Sequence, residues 1–308
     1  MQAVKGTSIG ILYVGDLGLH LGKLLQENGH RVITTVEGRS SRTQRRAGEA
    51  QFEVVATLAN VLEQAEVVLS LVPPAAAVAV VQQCLDIRSA RAHTFVDLNS
   101  IAPDTARRIA GLFADSGMNF VDGAVHGMAS QLRTHGTLYL SGAAAESVAG
   151  LFETVLRVKL LGNEPGQASA FKMMISGLNK GVVALVLEIA LAARQAGTLD
   201  DLLTCYRDAY PGIMAVVDRL LPTYPAHARR RGDELKEVAQ TLSALGVEPR
   251  LVEGARRLTE MVGRLNLDND RTWSVPEVIE EVFASPLVTK PETDIPGPLQ
   301  PLTAARSI

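Results

Sequence analysis

The sequence predicts an α/β protein in two parts, a doubly wound sheet domain followed by an all-helical one. Three observations carry this reading. Up to about residue 163, short β-rich runs alternate with stretches of helical spacing, the pattern of a parallel sheet wrapped by helices. The first of these runs, Ser8–Val14, ends in a glycine turn that opens a helix. After Gly162 strand-like runs stop, and from Gln167 to Ala196 there is no proline and only two glycines.

Taken in order, the strands are predicted at Ser8–Val14, Arg31–Val36, Phe52–Ala56, Glu66–Val72, Thr94–Leu98 and Asn119–Val121. Leu138–Ser141 and Arg157–Leu161 complete the sheet domain. The segments between them keep one apolar face, as Leu17, Leu21, Leu24 and Leu25 do after the first strand. One long helix is expected from Gln167 to Ala196, led in by Glu164-Pro-Gly and stopped at Gly197. Helical patterns then cover Leu199–Ala209, Gly212–Leu220, Pro225–Leu245, Pro249–Leu265 and Val275–Phe283. The expected organisation is therefore a sheet domain over 1–163, a helical domain over 164–285, and a proline-rich tail over 286–308 that is mobile or drapes a partner.

Composition narrows the function. In 308 residues, 47% are hydrophobic, enough for substantial cores. Charged residues make up 20% and nearly cancel to −3, which argues against nucleic acid or an anionic membrane as partner. Cys84 and Cys205 are too few for a disulfide framework, so a cytoplasmic location is expected. The longest apolar run, 181–193, is interrupted by Glu188 and too short to span a bilayer, and no residue spacing suggests a metal site.

Two stretches carry chemistry. A dinucleotide turn needs three glycines, one where the chain turns tightly, one where the pyrophosphate approaches and one where the helix packs closely. Tyr13-Val14-Gly15-Asp16-Leu17-Gly18 has the second and third of these, with Tyr13 in place of the first. At the end of the second strand, Glu37 could bind a ribose 2′-hydroxyl and favour NAD. Arg39, Ser40, Ser41 and Arg42 could instead hold a 2′-phosphate, and this crowd of donors favours NADP over NAD. The second stretch puts Lys172 into an apolar run, with Ser176 and Asn179 following at i+4 and i+7 on one helix face. A lysine in such surroundings can move protons, because desolvation brings an ammonium toward neutral titration.

These motifs resemble the β-hydroxyacid dehydrogenase superfamily, which includes 3-hydroxyisobutyrate dehydrogenases, 6-phosphogluconate dehydrogenase and imine reductases. The resemblance covers roughly residues 8–265. Leu71-Val72-Pro73 is similar to the end of that family's fourth strand, and Asp97-Leu-Asn99-Ser100-Ile-Ala-Pro103 to its "D-x-S-T-x-x-P" turn near the nicotinamide. Asp122-Gly-Ala-Val-His126-Gly127 through Gly136-Thr137-Leu138 resembles its substrate motif "D-A-P-V-S-G-G…G-T-L". The helical half resembles an uncharacterised, phosphogluconate-dehydrogenase-like branch, including a run similar to His227-Ala-Arg-Arg-Arg231.

The resemblance implies a Rossmann domain and a 6-phosphogluconate dehydrogenase-like helical domain that builds a homodimer. It implies that Leu71, Val72, Pro73, Asn99 and Ser100 line the cofactor, and that Lys172 is the proton donor and acceptor for a small hydroxy or carbonyl substrate. Ser176 and Asn179 would orient that substrate. Four positions depart from the pattern. His126 stands for the motif serine, Met128 for a glycine, and Ile175 and Ser176 for the asparagines of "K-x-x-N-N". His126 is either a second acid, a carboxylate binder or a core histidine, and His227–Arg231 either a solvated face or an anion contact across a dimer. The alternative readings are an imine reductase on the same scaffold, which the lysine disfavours, and a non-catalytic NADP-binding protein.

Overall fold

The computed structural model describes residues 6–87, 93–265, 267–268 and 271–286. The chain divides into two compact units, one of Met1–Ser176 with Gln240–Glu248, the other of Gly177–Ala239 with the chain from Pro249 onward. The change of unit falls within a helix, between Ser176 and Gly177. Most of the tail over 286–308 lies outside the described residues.

The first unit runs β1 (Ser8–Leu12), α1 (Asp16–Glu27), β2 (Arg31–Thr35), α2 (Ser41–Glu49), β3 (Glu53–Val55), α3 (Leu58–Gln64) and β4 (Val67–Ser70). It continues with α4 (Ala77–Leu85), β5 (Thr94–Asp97), α5 (Pro103–Leu112), β6 (Asn119–His126), α6 (Leu132–His135), β7 (Thr137–Ser141), α7 (Ala145–Phe152) and β8 (Arg157–Leu160). The eight strands form one sheet in the order β3-β2-β1-β4-β5-β6-β7-β8. It departs from the all-parallel expectation in one place, because β7 runs antiparallel to β6. The reason is the connection: α6 is a single turn, too short for the crossover a parallel pair would need.

Successive side chains on a strand point to opposite faces, so apolar runs in central strands feed two cores. Ile9, Ile11, Val67, Leu69 and Val96 pack into the core that includes α1 and α7 residues. Leu12, Val68 and Phe95 alternate with them into the other, with residues of α3, α4 and α5. There the rings of Phe95, Phe113 and Phe120 stack in series at 5.2 and 5.5 Å.

The helix α8 (Gln167–Gln195) leads out of the sheet unit. Then follow α9 (Leu199–Ala209), α10 (Pro211–Leu220), α11 (Tyr224–Ala244), α12 (Arg250–Arg264) and α13 (Val275–Phe283). The helical unit has its own core, with Val183, Leu187, Met214, Tyr224, Trp273 and Ile279 buried in it. By length and composition alone α8 could cross a membrane, with a mean hydropathy of 1.7 in its most apolar stretch. The run 181–193 understates this because apolar residues continue on the far side of Lys180, at Met173, Met174, Ile175 and Leu178. Lys180, buried on the same helix, pairs with Glu234 of α11 at 2.8 Å, which ties one face of α8 into the helical unit.

Candidate active site

The strand order reverses direction at β1 and β4, and in open α/β sheets ligands bind outside the carboxyl ends of the strands at that switch point. The glycine turn after β1, the loop after β2, Leu71–Pro73 after β4, Asn99–Ser100 after β5 and His126 at the end of β6 all lie at those ends.

The turn after β1 explains both what Tyr13 replaces and what it costs. Tyr13 has φ +85°, the left-handed conformation that glycine adopts without penalty. A non-glycine residue there costs roughly 1–2 kcal/mol. The ring packs beside Gly15, whose added Cβ would come within 2.7 Å of Tyr13 Cε1. At Gly18 a Cβ would meet the Tyr13 carbonyl oxygen at 2.6 Å, so this glycine is required by backbone rather than by a movable side chain. Gly15 caps α1 without a side-chain hydrogen bond, so no cap side chain claims the first-turn N–H groups. Such a turn fits a pyrophosphate. Asp16 is the opposing feature: its exposed carboxylate sits in that first turn, with Arg46 of α2 at 3.7 Å as counter-ion. Val14 is buried and Leu17 half-buried, so their side chains serve the core.

After β2, Gly38 turns the chain with φ +65°, and the Arg39 N–H donates to the Val36 carbonyl at 3.1 Å. Ser40 caps α2, its hydroxyl accepting the Thr43 N–H at 3.4 Å, so the cap claims part of its capacity. Glu37 and Arg42 are exposed and Arg39 half-buried. Arg42 and Arg46 share one face of α2, and Arg39 stands just before its cap.

A feature that sequence reasoning passed over joins these loops. Ser70, Asp97, Asp122 and Ser141 are register partners across β4, β5, β6 and β7, so they form one transverse row. All four are buried. At one end the Asp97 carboxylate accepts the Asn99 backbone N–H at 2.8 Å and the Asn99 amide at 3.0 Å. That amide also donates to the Ser70 hydroxyl at 3.0 Å. The Asn99 Oδ1, equally buried, has no hydrogen-bond partner. At the other end Asp122 holds the start of α8. Its Oδ2 accepts from the Gly166 N–H at 2.9 Å, the Ser169 N–H at 3.0 Å and the Ser141 hydroxyl at 3.0 Å. Its Oδ1 accepts the Ser169 hydroxyl at 2.6 Å. A carboxylate at a helix N-terminus satisfies orphan donors and complements the helix dipole.

Lys172 stands three residues beyond Ser169 on the helix that Asp122 pins, half-buried. Burial pushes the Asp97 carboxyl up to about 7; neighbouring Asp122 adds to the rise, while the Asn99 hydrogen bonds and the Lys172 ammonium oppose it. The structure thus places Lys172, Asp97 and Asn99 within one electrostatic neighbourhood. Ser176 follows Lys172 on the same helix face and Asn179 comes one turn later. His126 is exposed at the strand end rather than held in a core, and pairs in register with Thr137.

The His227–Arg231 run belongs to α11. Arg231 is buried and donates to the Leu220 carbonyl at 2.9 Å and the Thr223 hydroxyl at 2.6 Å, its guanidinium 4.6 Å over the Tyr224 ring. Arg230 pairs with Glu234, and Arg229 donates to the Gly263 carbonyl at 3.1 Å. All three arginines therefore have partners inside the helical unit. Among the described residues no cluster of histidine, cysteine or carboxylate groups could hold a metal.

Residues 8–158 match the family model of the NAD binding domain of 6-phosphogluconate dehydrogenase, and residues 193–262 match a domain of unknown function, DUF1932. One solved structure is a conserved protein of unknown function described by its similarity to 3-hydroxyacid dehydrogenases. It is 30% identical, with a TM-score of 0.67, covering 83% of this chain and 97% of that one. The chain belongs to the 6-phosphogluconate dehydrogenase-like superfamily. Its sheet unit is a nicotinamide-nucleotide-binding domain, and the protein is an NAD(P)-dependent oxidoreductase of this superfamily. Two more distant structures share the fold. A 3-hydroxyisobutyrate dehydrogenase from Salmonella typhimurium is 18% identical, with a TM-score of 0.68 over 89% of this chain and 99% of that one. A reductive aminase from Aspergillus terreus, in complex with NADPH and ethyl levulinate, is 19% identical, with a TM-score of 0.54 over 89% and 99%.

Proposed function

We propose that the protein is an NADP-dependent oxidoreductase that moves a hydride between nicotinamide and a β-hydroxy acid or related secondary alcohol, or the corresponding ketone. Lys172 is the proton donor and acceptor. The observation that carries this reading is the placement of Lys172 on the first turns of α8. That helix start is anchored by the buried Asp122, and the lysine is close enough to Asp97 to favour its anion.

Bound nicotinamide would supply or take the hydride. The remaining steps belong to side chains. Lys172 gives its ammonium proton to the carbonyl oxygen as reduction proceeds and takes a hydroxyl proton in oxidation. Ser176, on the same face, orients the oxygen through its hydroxyl, with Asn179 one turn further along. Gly15 lets the pyrophosphate approach the first turn of α1, Gly18 lets that helix pack closely on the turn, and Arg39 and Arg42 hold a 2′-phosphate, which selects NADP. Likeness to the NADPH-bound reductive aminase supports this cofactor and keeps an imine substrate as the second reading.

The working form is a homodimer in the cytoplasm. Met174, Leu178, Leu185 and Ile189 are exposed apolar residues spaced along one face of α8, a stripe that a second copy would cover.

The direct test follows NADPH oxidation with a panel of β-keto acids, simple ketones and cyclic imines. The proposal expects turnover with a ketone or keto acid, slower with NADH. Turnover of imines alone would transfer the assignment to imine reduction, and none with any member would refute the proposed substrate class.

A further inference from the structure

Asn99 is held in one orientation by its neighbours. Its amide nitrogen donates to both Asp97 and Ser70 at 3.0 Å, and its backbone N–H donates to the other Asp97 oxygen at 2.8 Å. Above about pH 7, where Asp97 is ionised, flipping the amide would set its oxygen against the carboxylate, so the clamp excludes the alternative. The Asn99 Oδ1 is thereby presented as a pure acceptor, buried and without a partner. Leaving such an atom unsatisfied costs about 1–3 kcal/mol, so its donor is expected to arrive with a ligand. It lies just past the carboxyl end of β5, at the ligand edge of the sheet.

A ketone offers this atom no donor, and the hydroxyl of an alcohol substrate is committed to Lys172. The carboxamide of nicotinamide offers two N–H groups. We infer that Asp97 is a positioning residue: it locks Asn99 so that Oδ1 accepts a hydrogen bond from the nicotinamide carboxamide and fixes the ring. This inference rests on the nicotinamide reading above. Asp97 touches neither cofactor nor substrate and acts through Asn99. Being buried at the carboxyl end of β5, the pair cannot swing aside, and this suits a contact that must fix ring orientation.

The test compares calorimetric binding of NADP+ with that of its 3-acetylpyridine analogue, in which a methyl replaces the carboxamide NH2. Wild type should bind NADP+ about 3–10-fold more tightly, the range of one hydrogen bond. Asp97→Asn gives Asn99 a donor in place of one acceptor and frees the flip, so this preference should fall below about twofold, mainly through weaker NADP+ binding. Asn99→Ala should abolish it as well, which keeps the test open if Asp97→Asn fails to fold. A purely structural Asp97 would weaken both nucleotides equally, and that result overturns the inference. Equal binding of the two nucleotides by wild type would also overturn it while leaving the nicotinamide reading intact. Binding of neither would overturn both.

Discussion

Asp122→Ala should be among the most damaging single substitutions in the sheet unit. The side chain is fully buried and accepts four hydrogen bonds, two from the backbone N–H groups of Gly166 and Ser169 and two from the hydroxyls of Ser141 and Ser169. Hydrogen bonds to a charged acceptor contribute about 1.5–3 kcal/mol each, and every buried donor left unpaired costs about 1–3 kcal/mol. The hydroxyls can turn toward other acceptors, but the two N–H groups cannot. The loss should therefore be about 3–5 kcal/mol, in the upper range for a point mutation. Asp122→Asn separates charge from hydrogen bonding. Its oxygen can keep the three Oδ2 partners while its NH2 donates to the Ser169 hydroxyl, so the cost should be only about 1–2 kcal/mol, mostly the lost anion at the helix end. Urea unfolding at neutral pH measures both. Lys172 lies one turn beyond Ser169, so kcat should fall in Asp122→Ala more than NADPH affinity does. A loss below about 1 kcal/mol for alanine, or equal losses for alanine and asparagine, would refute the anchoring role.

Arg39→Ala should weaken NADPH binding roughly tenfold or more and leave NADH almost unchanged, read by fluorescence titration; equal losses would remove the 2′-phosphate assignment. Light scattering should give about twice the 32.9 kDa chain mass, and placing glutamate at Leu178 and Leu185 should return the monomer. A monomeric wild type at micromolar concentration would contradict the dimer. Asp97 makes stability depend on pH with a definite sign. Its folded value lies near 7 and its ordinary value near 3.8, so the native state keeps a proton that the unfolded chain releases. The stabilisation is complete below about pH 4 and is lost as pH rises through about 7. The fall in unfolding free energy between pH 5 and pH 8 should therefore be smaller in Asp97→Asn than in wild type, and parallel curves would contradict this.

Much of the architecture was legible because its signals are local. Eight apolar runs bounded by turns became the eight strands, with ends shifted by a few residues, and the pattern over 167–196 became α8 almost residue for residue. The largest boundary error was β6, which continues to His126 rather than ending at Val121, because Gly123 broke the strand pattern. The antiparallel β7 was not anticipated, since strand direction is set by a four-residue helix with no strong pattern. The least legible feature was the buried row Ser70–Asp97–Asp122–Ser141. Each member ends or interrupts an apolar run and reads alone as a boundary; only the register of four strands brings them together. The recurrent Phe-Val-Asp at 95–97 and 120–122 was the available signal, two strands each carrying a carboxylate at one depth. Tyr13 was visible as a departure from the glycine pattern, but its left-handed backbone is a property of the turn.

The central claim is that Lys172 moves the proton, and Lys172→Met tests it most directly. The substitution keeps the packing of the stem and removes the ammonium. Pre-steady-state reduction of the best ketone found in the panel, followed through NADPH absorbance, isolates the chemical step. The account predicts a rate 10²–10⁴-fold below wild type at unchanged NADPH affinity. A hydride-transfer rate within about threefold of wild type would contradict it and pass the proton to another group, with His126 at the end of β6 first in line.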